Sequence, residues 1–159
     1  MKTSIKFTSI SIAFCLLVSS TVFAQAAKKP KPEKNKFLEN KTFDTQFTEV
    51  KEKGKPAKPL KGDIVIKGSK VSSTVMEEKT GLSASNYHVV SDTTYKDGEM
   101  EIHKVEFEAS STDGKTEAKI EASVTNSEIT GTVVESKDGK EKKKYEFTGT
   151  EKEKPGKKK

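Results

Sequence analysis

The chain has 159 residues, of which 34% are charged and 31% hydrophobic, with one cysteine and no tryptophan. That is room for one domain, and a single cysteine excludes a disulfide scaffold. Every one of its 30 basic residues is lysine, so the arginine forks that serve specific base readout and bidentate phosphate capture are missing.

The first 24 residues read as a secretory signal. Lys2 and Lys6 give a positive start, and Phe7 to Val22 form a mostly apolar core. Val22-Phe23-Ala24 or Ala24-Gln25-Ala26 then supplies small residues for cleavage. The apolar run is shorter than the ~20 residues of a membrane span, so no span is expected. Cys15 leaves with the signal, and Phe14 before it is too bulky for lipoprotein cleavage. The expected location is therefore periplasmic or secreted.

Residues 25–36 read as a Lys/Pro-rich linker, and residues 151–159 as a basic tail expected to be disordered. Taking away the two leader lysines, +4 for the linker and +3 for the tail from the formal +6 leaves −3 for 37–150. The basicity sits in the ends, and the body is mildly acidic. Phe and Tyr fall on the expected inner face and are not interleaved with lysines for base stacking, so nucleic acid is not expected as a partner.

The strands follow in order. Thr42 to Val50 opens the sheet with Phe43 and Phe47. Strands at 62–67 and 70–76 flank Gly68-Ser69, a turn with glycine first. It pairs Ile66 with Val71 and leaves Ile64, Ser73 and Val75 on one face. Glu77 to Ser85 has space for one helical turn ended by Gly81. The strand at 86–95 carries Tyr87 and Val89, and Asp97-Gly98 turns into the strand at 99–110. There the apolar phase shifts from Met100 and Ile102 to Val105 and Phe107, which predicts a bulge near His103-Lys104.

Asp113-Gly114 reads as a two-residue hairpin turn. It sets Ala109 opposite Ala118, Phe107 opposite Ile120 and Val105 opposite Ala122. Asn126-Ser127 joins 116–125 to 128–136 and pairs Val124 with Ile129, Ala122 with Gly131 and Ile120 with Val133. A three-residue loop, Lys137-Asp138-Gly139, leads to the last strand at 140–150, with Gly131 facing Tyr145 and Ile129 facing Phe147. The same face is buried across each hairpin. Eight such strands predict an all-β fold, an eight-stranded antiparallel up-and-down barrel; a two-sheet sandwich is the alternative.

Little in the pattern carries chemistry. The chain has two histidines, His88 and His103. His88 points outward, with Glu106 or Glu108 beside it. Glu106 would continue to Glu121 as a His-Glu-Glu row; Glu108, the favoured neighbour, would continue to Lys119 as an ordinary charge pattern. His103 has Ser91 as a candidate neighbour but no acid to complete a triad. The Asp-Gly pairs lack calcium-loop spacing, and no glycine run resembles a phosphate loop. No catalytic residue, metal site or cofactor is expected, and the protein is read as a non-enzyme.

The inner face mixes large and small residues. Phe43, Phe47, Tyr87, Phe107, Ile120, Tyr145 and Phe147 point inward with Ala109, Ala118, Ala122, Gly131 and Gly149. Such a set either interdigitates into a solid core or walls a pocket, with Tyr87 and Tyr145 as its polar handles.

With the lead-in Phe37-Leu38-Glu39-Asn40, the opening Lys41-Thr42-Phe43 and the closing run Tyr145-Glu146-Phe147-Thr148-Gly149-Thr150, residues 37–150 resemble the lipocalin-like (calycin) group of small secreted β-barrels. The resemblance implies binding of small apolar molecules, or use as a secreted inhibitor or adaptor. The leading expectation is a small apolar ligand held among the seven large inner residues. The alternative is a protein-binding module, such as an inhibitor of an envelope or extracellular enzyme, using loops Lys51 to Lys61 and Glu77 to Ser85.

Overall fold

The computed structural model describes residues 34–51 and 57–153. The expected signal, most of the linker and the end of the tail lie outside the described residues. Within them the chain is an all-β, closed, up-and-down barrel in which each strand pairs antiparallel with its sequence neighbours and β1 with β8. The strands are β1 (Lys41–Glu49), β2 (Leu60–Lys67), β3 (Lys70–Ser72), β4 (Ser85–Asp97), β5 (Met100–Thr112), β6 (Thr116–Thr125), β7 (Glu128–Lys137) and β8 (Lys140–Glu151), with one helix, α1 (Thr74–Thr80), between β3 and β4.

Period-two alternation builds the wall. In β1, Phe43, Thr45 and Phe47 are buried while Asp44 and Gln46 are exposed. In β6, Ala118, Ile120, Ala122 and Val124 are buried in turn. The seam closes where Phe47 pairs with Phe147 and Thr45 with Gly149. Thr45 is the polar exception on this face. It is fully buried and its hydroxyl donates to the Gly62 carbonyl at 2.7 Å, so its burial leaves no lone donor.

The strand expected at 70–76 stops at Ser72, and the chain enters α1. Ser73 takes the N-cap position with extended backbone, and Gly81 ends the helix at φ 71, its N–H donating to the Glu77 carbonyl. This is the left-handed glycine stop. Met76 and Thr80, one turn apart, are the buried pair. Val75, expected on the strand face, lies on this helix, against Gly62.

Faces follow the sequence, but two registers slide. The turn at Asp113-Gly114 is longer than two residues: Thr112 pairs with Glu117, so Phe107 faces Ala122 and not Ile120, and Ala109 faces Ile120. Only Gly114 has positive φ there. Asp113 instead holds the turn with its side chain, Oδ1 accepting the Thr116 N–H at 3.1 Å, an alternative open to Asp in turns. At Asp138-Gly139 the opposite happens. Both residues take positive φ, 52 and 73, and make a tight two-residue turn between Lys137 and Lys140. The odd residue is absorbed by a bulge in β8 opposite Glu135 and Ser136, which sets Gly131 against Phe147 and Ile129 against Gly149. The bulge expected at His103-Lys104 lies instead on the facing strand, between Val89 and Ser91. The Gly68-Ser69 and Asn126-Ser127 pairings are as read from sequence.

Candidate functional site

All seven large residues of the expected pocket reach the interior. None of Phe43, Phe47, Tyr87, Phe107, Ile120, Tyr145 and Phe147 is more than 6% exposed, and all join one core with Leu38, Ile64, Ile66, Val71, Met76, Leu82, Val105, Val124, Ile129 and Val133. A hollow that admits even water would give its walls accessible area. These walls have almost none, so the side chains fill the space between them. The rings meet directly: Phe47 and Phe147 at 5.3 Å and Tyr87 and Phe107 at 5.5 Å between centroids, both tilted, each pair contributing about 0.5–1.5 kcal/mol beyond burial.

Both ends of the barrel are closed. At one end α1 and Leu82 form a plug, with Met76 and Leu82 buried. The Lys79 carbonyl there accepts from Lys143 Nζ at 3.1 Å, and the Gly81 carbonyl from Ser111 Oγ at 3.3 Å. At the other end a strap, residues 35–40, crosses the mouth and buries Leu38 completely. Asn35 builds the strap's single turn. Its Oδ1 accepts the N–H groups of Phe37 and Leu38, and its carbonyl accepts that of Glu39.

Polar contacts latch the strap to the wall. The Tyr87 hydroxyl accepts the Asn35 N–H and donates to the Gly68 carbonyl, both at 3.1 Å. The anticipated polar handle is thus used by the strap and the β2–β3 turn. Burial pushes its pKa up; the Asn35 N–H opposes this and Glu39 adds to it. Burial also raises Tyr145, helped by Glu49. Asp92 Oδ2 accepts from Asn35 Nδ2 at 2.7 Å, and Asp92 Oδ1 lies 2.7 Å from His103 Nε2. The His103 ring stacks on Phe37 at 3.9 Å. Lys41 Nζ lies over the Phe37 ring, 4.6 Å from its centroid, and pairs with Glu151.

His103 therefore has an acid, Asp92, which sequence reasoning did not find, because the bulge that aligns the two lies on β4. Ser91 pairs with Glu106 and faces the other side of the sheet. The cluster is a latch, with both carboxylate oxygens engaged. Hydrogen bonds from His103 and then Asn35 hold the Asp92 carboxyl below its usual range. A depressed carboxylate contributes its stabilisation above the unfolded value and loses it as pH falls through the folded one. The strap is thus predicted to loosen below about pH 4. Amide exchange at Phe37 and Leu38 checks this: their protection falls in that window in the native chain. In Asp92→Ala it is already low at neutral pH.

On the outer wall His88 faces Glu108, the favoured neighbour, but the slid register then continues the row to Glu121 and not to Lys119. Lys119 still enters it diagonally, 2.9 Å from both Glu108 and Glu121, and the two carboxylates raise its pKa. The row is a surface charge network, worth little in high dielectric. Among the described residues no group of three or more His, Cys, Asp or Glu could hold a metal ion, and no helix is long and apolar enough to cross a membrane. The larger clefts open on this outer wall. One of about 790 Å³ runs beside the short β3 and is lined by Asn86, His88, Glu108, Ser110 and Lys119 among others. Comparison with family models, with curated proteins and with solved structures finds no match.

The chain's distinctive parts are therefore physical ones: a solid interior, a plug, a latched strap, and the hairpin of β4 and β5, which carries exposed Tyr95 and Met100. In the sequence that hairpin shows as the mostly polar run Asp92 to Glu101 between apolar Val89 and Val105.

Proposed function

We propose that this chain is an exported, non-enzymatic barrel that binds a protein, such as an enzyme of the envelope or extracellular space, with its outer surface at the α1 end. The observation that carries this reading is the filled interior. A ligand inside would have to displace side chains whose burial stabilises the fold by about 1.5–3 kcal/mol each. Of the two expected binding loops, residues 52–56 of Lys51 to Lys61 lie outside the described residues. The other, Glu77 to Ser85, includes the end of the plug helix. It buries Thr80, Leu82 and Ser85 and offers Glu77, Glu78 and Lys79 to solvent.

Capture from envelope extract tests this. The native chain is expected to retain a partner, and a variant with alanine at Glu77, Glu78 and Lys79 is expected to lose it while keeping its unfolding midpoint. Undiminished capture by that variant contradicts the role of this end.

A small apolar ligand among Phe43, Phe47, Tyr87, Phe107, Ile120, Tyr145 and Phe147 is the second reading, in line with the calycin resemblance. What favours it is the strap, a short segment held by polar contacts that would be the way in. Native mass spectrometry and titration with a fluorescent lipid probe separate the two. Retained ligand with saturable probe binding supports the carrier; neither supports the outer-surface binder.

A further inference from the structure

The β4–β5 hairpin outruns the barrel. On one side β3 reaches only as far as Lys70 opposite Asn86, with one more bond from the Tyr87 N–H to the Ser69 carbonyl. On the other side β6 first meets β5 at Lys104. Asn126 bonds both main-chain groups of His103, so from Tyr95 to Ile102 the ribbon is two strands wide, and no strand lies beside β4 from Asp92 to Asp97 among the described residues. Residues 92–101 are all exposed, with Tyr95 at 50% and Met100 at 65%. A sheet edge of this kind offers a row of main-chain donors and acceptors to another strand.

Which groups face outward follows from the turn. Asp97 pairs with Met100 across a two-residue loop, so that pair exchanges its hydrogen bonds inside the ribbon and pairs alternate from there. Asp97, Tyr95 and Thr93 spend their main-chain groups on β5. Lys96, Thr94 and Asp92 aim theirs at the open edge. The same alternation, carried through the bulge at Val90, turns Tyr87 toward β3, where its N–H indeed bonds Ser69.

We propose that two copies of this chain join edge to edge through β4, antiparallel about a two-fold axis at Thr94. In that register Thr94 meets Thr94 of the second copy, and Asp92 and Lys96 meet Lys96 and Asp92. Every outward-facing group finds a partner. The register is the one in which the edge charges complement each other twice, as an isologous interface requires. A register one pair of residues to either side leaves one of the three edge residues out and puts Asp92 or Lys96 against Thr94. The charges that discourage pairing with an arbitrary strand therefore select a second copy. Tyr95 falls opposite Thr93, a ring against a β-branched neighbour, and Asp97 falls opposite Ser91. Glu99 lies in the turn and Glu101 on β5, one strand away from the contact. The arm begins at the end of the barrel opposite α1, because β5 runs from the arm toward Ser111, which bonds the Gly81 carbonyl. A dimer built this way leaves both α1 ends free.

Sedimentation equilibrium on the full chain tests this, with Thr94→Pro and Lys96→Glu. Proline at 94 removes an edge-facing N–H and none directed at β5, as edge positions allow. The native chain is expected to show a monomer–dimer equilibrium, with Asp92, Thr94 and Lys96 amides slow to exchange in the dimer. Thr94→Pro is expected to be monomeric and folded, and Lys96→Glu to weaken association at least tenfold at low salt. Should Thr94→Pro fail to fold, the exposed Lys96→Glu decides. A chain monomeric at all concentrations overturns the proposal. So does a dimer that both variants preserve. A monomer with those amides protected also overturns it, since another segment of the same chain then covers the edge.

Discussion

Phe47→Ala is expected to lower the unfolding free energy by about 3–5 kcal/mol, the range for truncating a buried Phe. Phe47 stands at the closing seam. It pairs with Leu60 of β2 and with Phe147 of β8, its ring touches that of Phe147, and it is 1% exposed. The cavity left would be walled by strands that hydrogen bonds hold in place, so collapse around it is limited. Against a total of about 5–15 kcal/mol for an ordinary domain, this is a large part of the stability. Urea unfolding should show a much lower midpoint at unchanged slope. Gln46→Ala, one residue away but outward and exposed, should move the midpoint by no more than about 0.5 kcal/mol.

Gly131→Val is expected to cost about 3 kcal/mol, the upper end for overpacking. A Cβ at this position would lie 2.6 Å from Phe147 Cζ and 2.9 Å from Ala122 Cα, and closer still to the Glu121 carbonyl oxygen. The ring can swing away, but the two main-chain neighbours belong to β6 and cannot move without breaking its ladder. Shortening Phe147 in the same chain is therefore expected not to restore stability. Gly98→Ala makes the contrast. Nothing lies within 4 Å of its Cβ, and the cost is only that of φ 62 for an L side chain, about 1–2 kcal/mol. Gly149 resembles Gly131: its Cβ would lie 2.5 Å from the Asp44 carbonyl oxygen. At both glycines a neighbouring strand's main chain occupies the space a side chain would need.

The inner face was legible in the sequence because alternation has a period of two, and burial on one side leaves no freedom about which residues turn inward. The partners were legible only in part. A slip of two residues keeps every side chain on its face, so Phe107 opposite Ala122 satisfies the apolar pattern as well as Phe107 opposite Ile120. What decides is loop length, and Asp-Gly supports more than one. Asp138-Gly139 makes the tight turn with both residues at positive φ, while Asp113 spends its carboxylate on Thr116. The bulge escaped for a related reason. The apolar residues of β5 do change phase between Ile102 and Val105, but β5 itself runs one-to-one against β4 from Met100 to Glu106; Met100 and Ile102 lie on the opposite face of the hairpin from Val105, and the residue inserted is Val90 on β4.

The interior could not be read as solid or hollow from residue types. That outcome depends on how volumes from eight strands and two end segments sum in space. α1 supplies Met76, and the strap supplies Leu38; both are fully or nearly fully buried. In the sequence the strap is only a lead-in, since its closing contacts join Asn35 to Tyr87 and Asp92, more than fifty positions away. The open edge of the β4–β5 hairpin is not legible in the sequence because it depends on relative strand length: β3 starts only at Lys70, opposite Asn86, while β4 runs on to Asp97.

The reading of this chain as an outer-surface binder depends on a barrel packed through to its axis. Dry apolar cavities take up xenon, so a xenon titration followed on the methyl signals of Ile64, Ile66, Ile120, Ile129 and Val133 reads the interior directly. A solid core predicts small shifts, linear in xenon pressure, at all five. Saturable shifts that converge on these methyls would reveal a hollow there and contradict it.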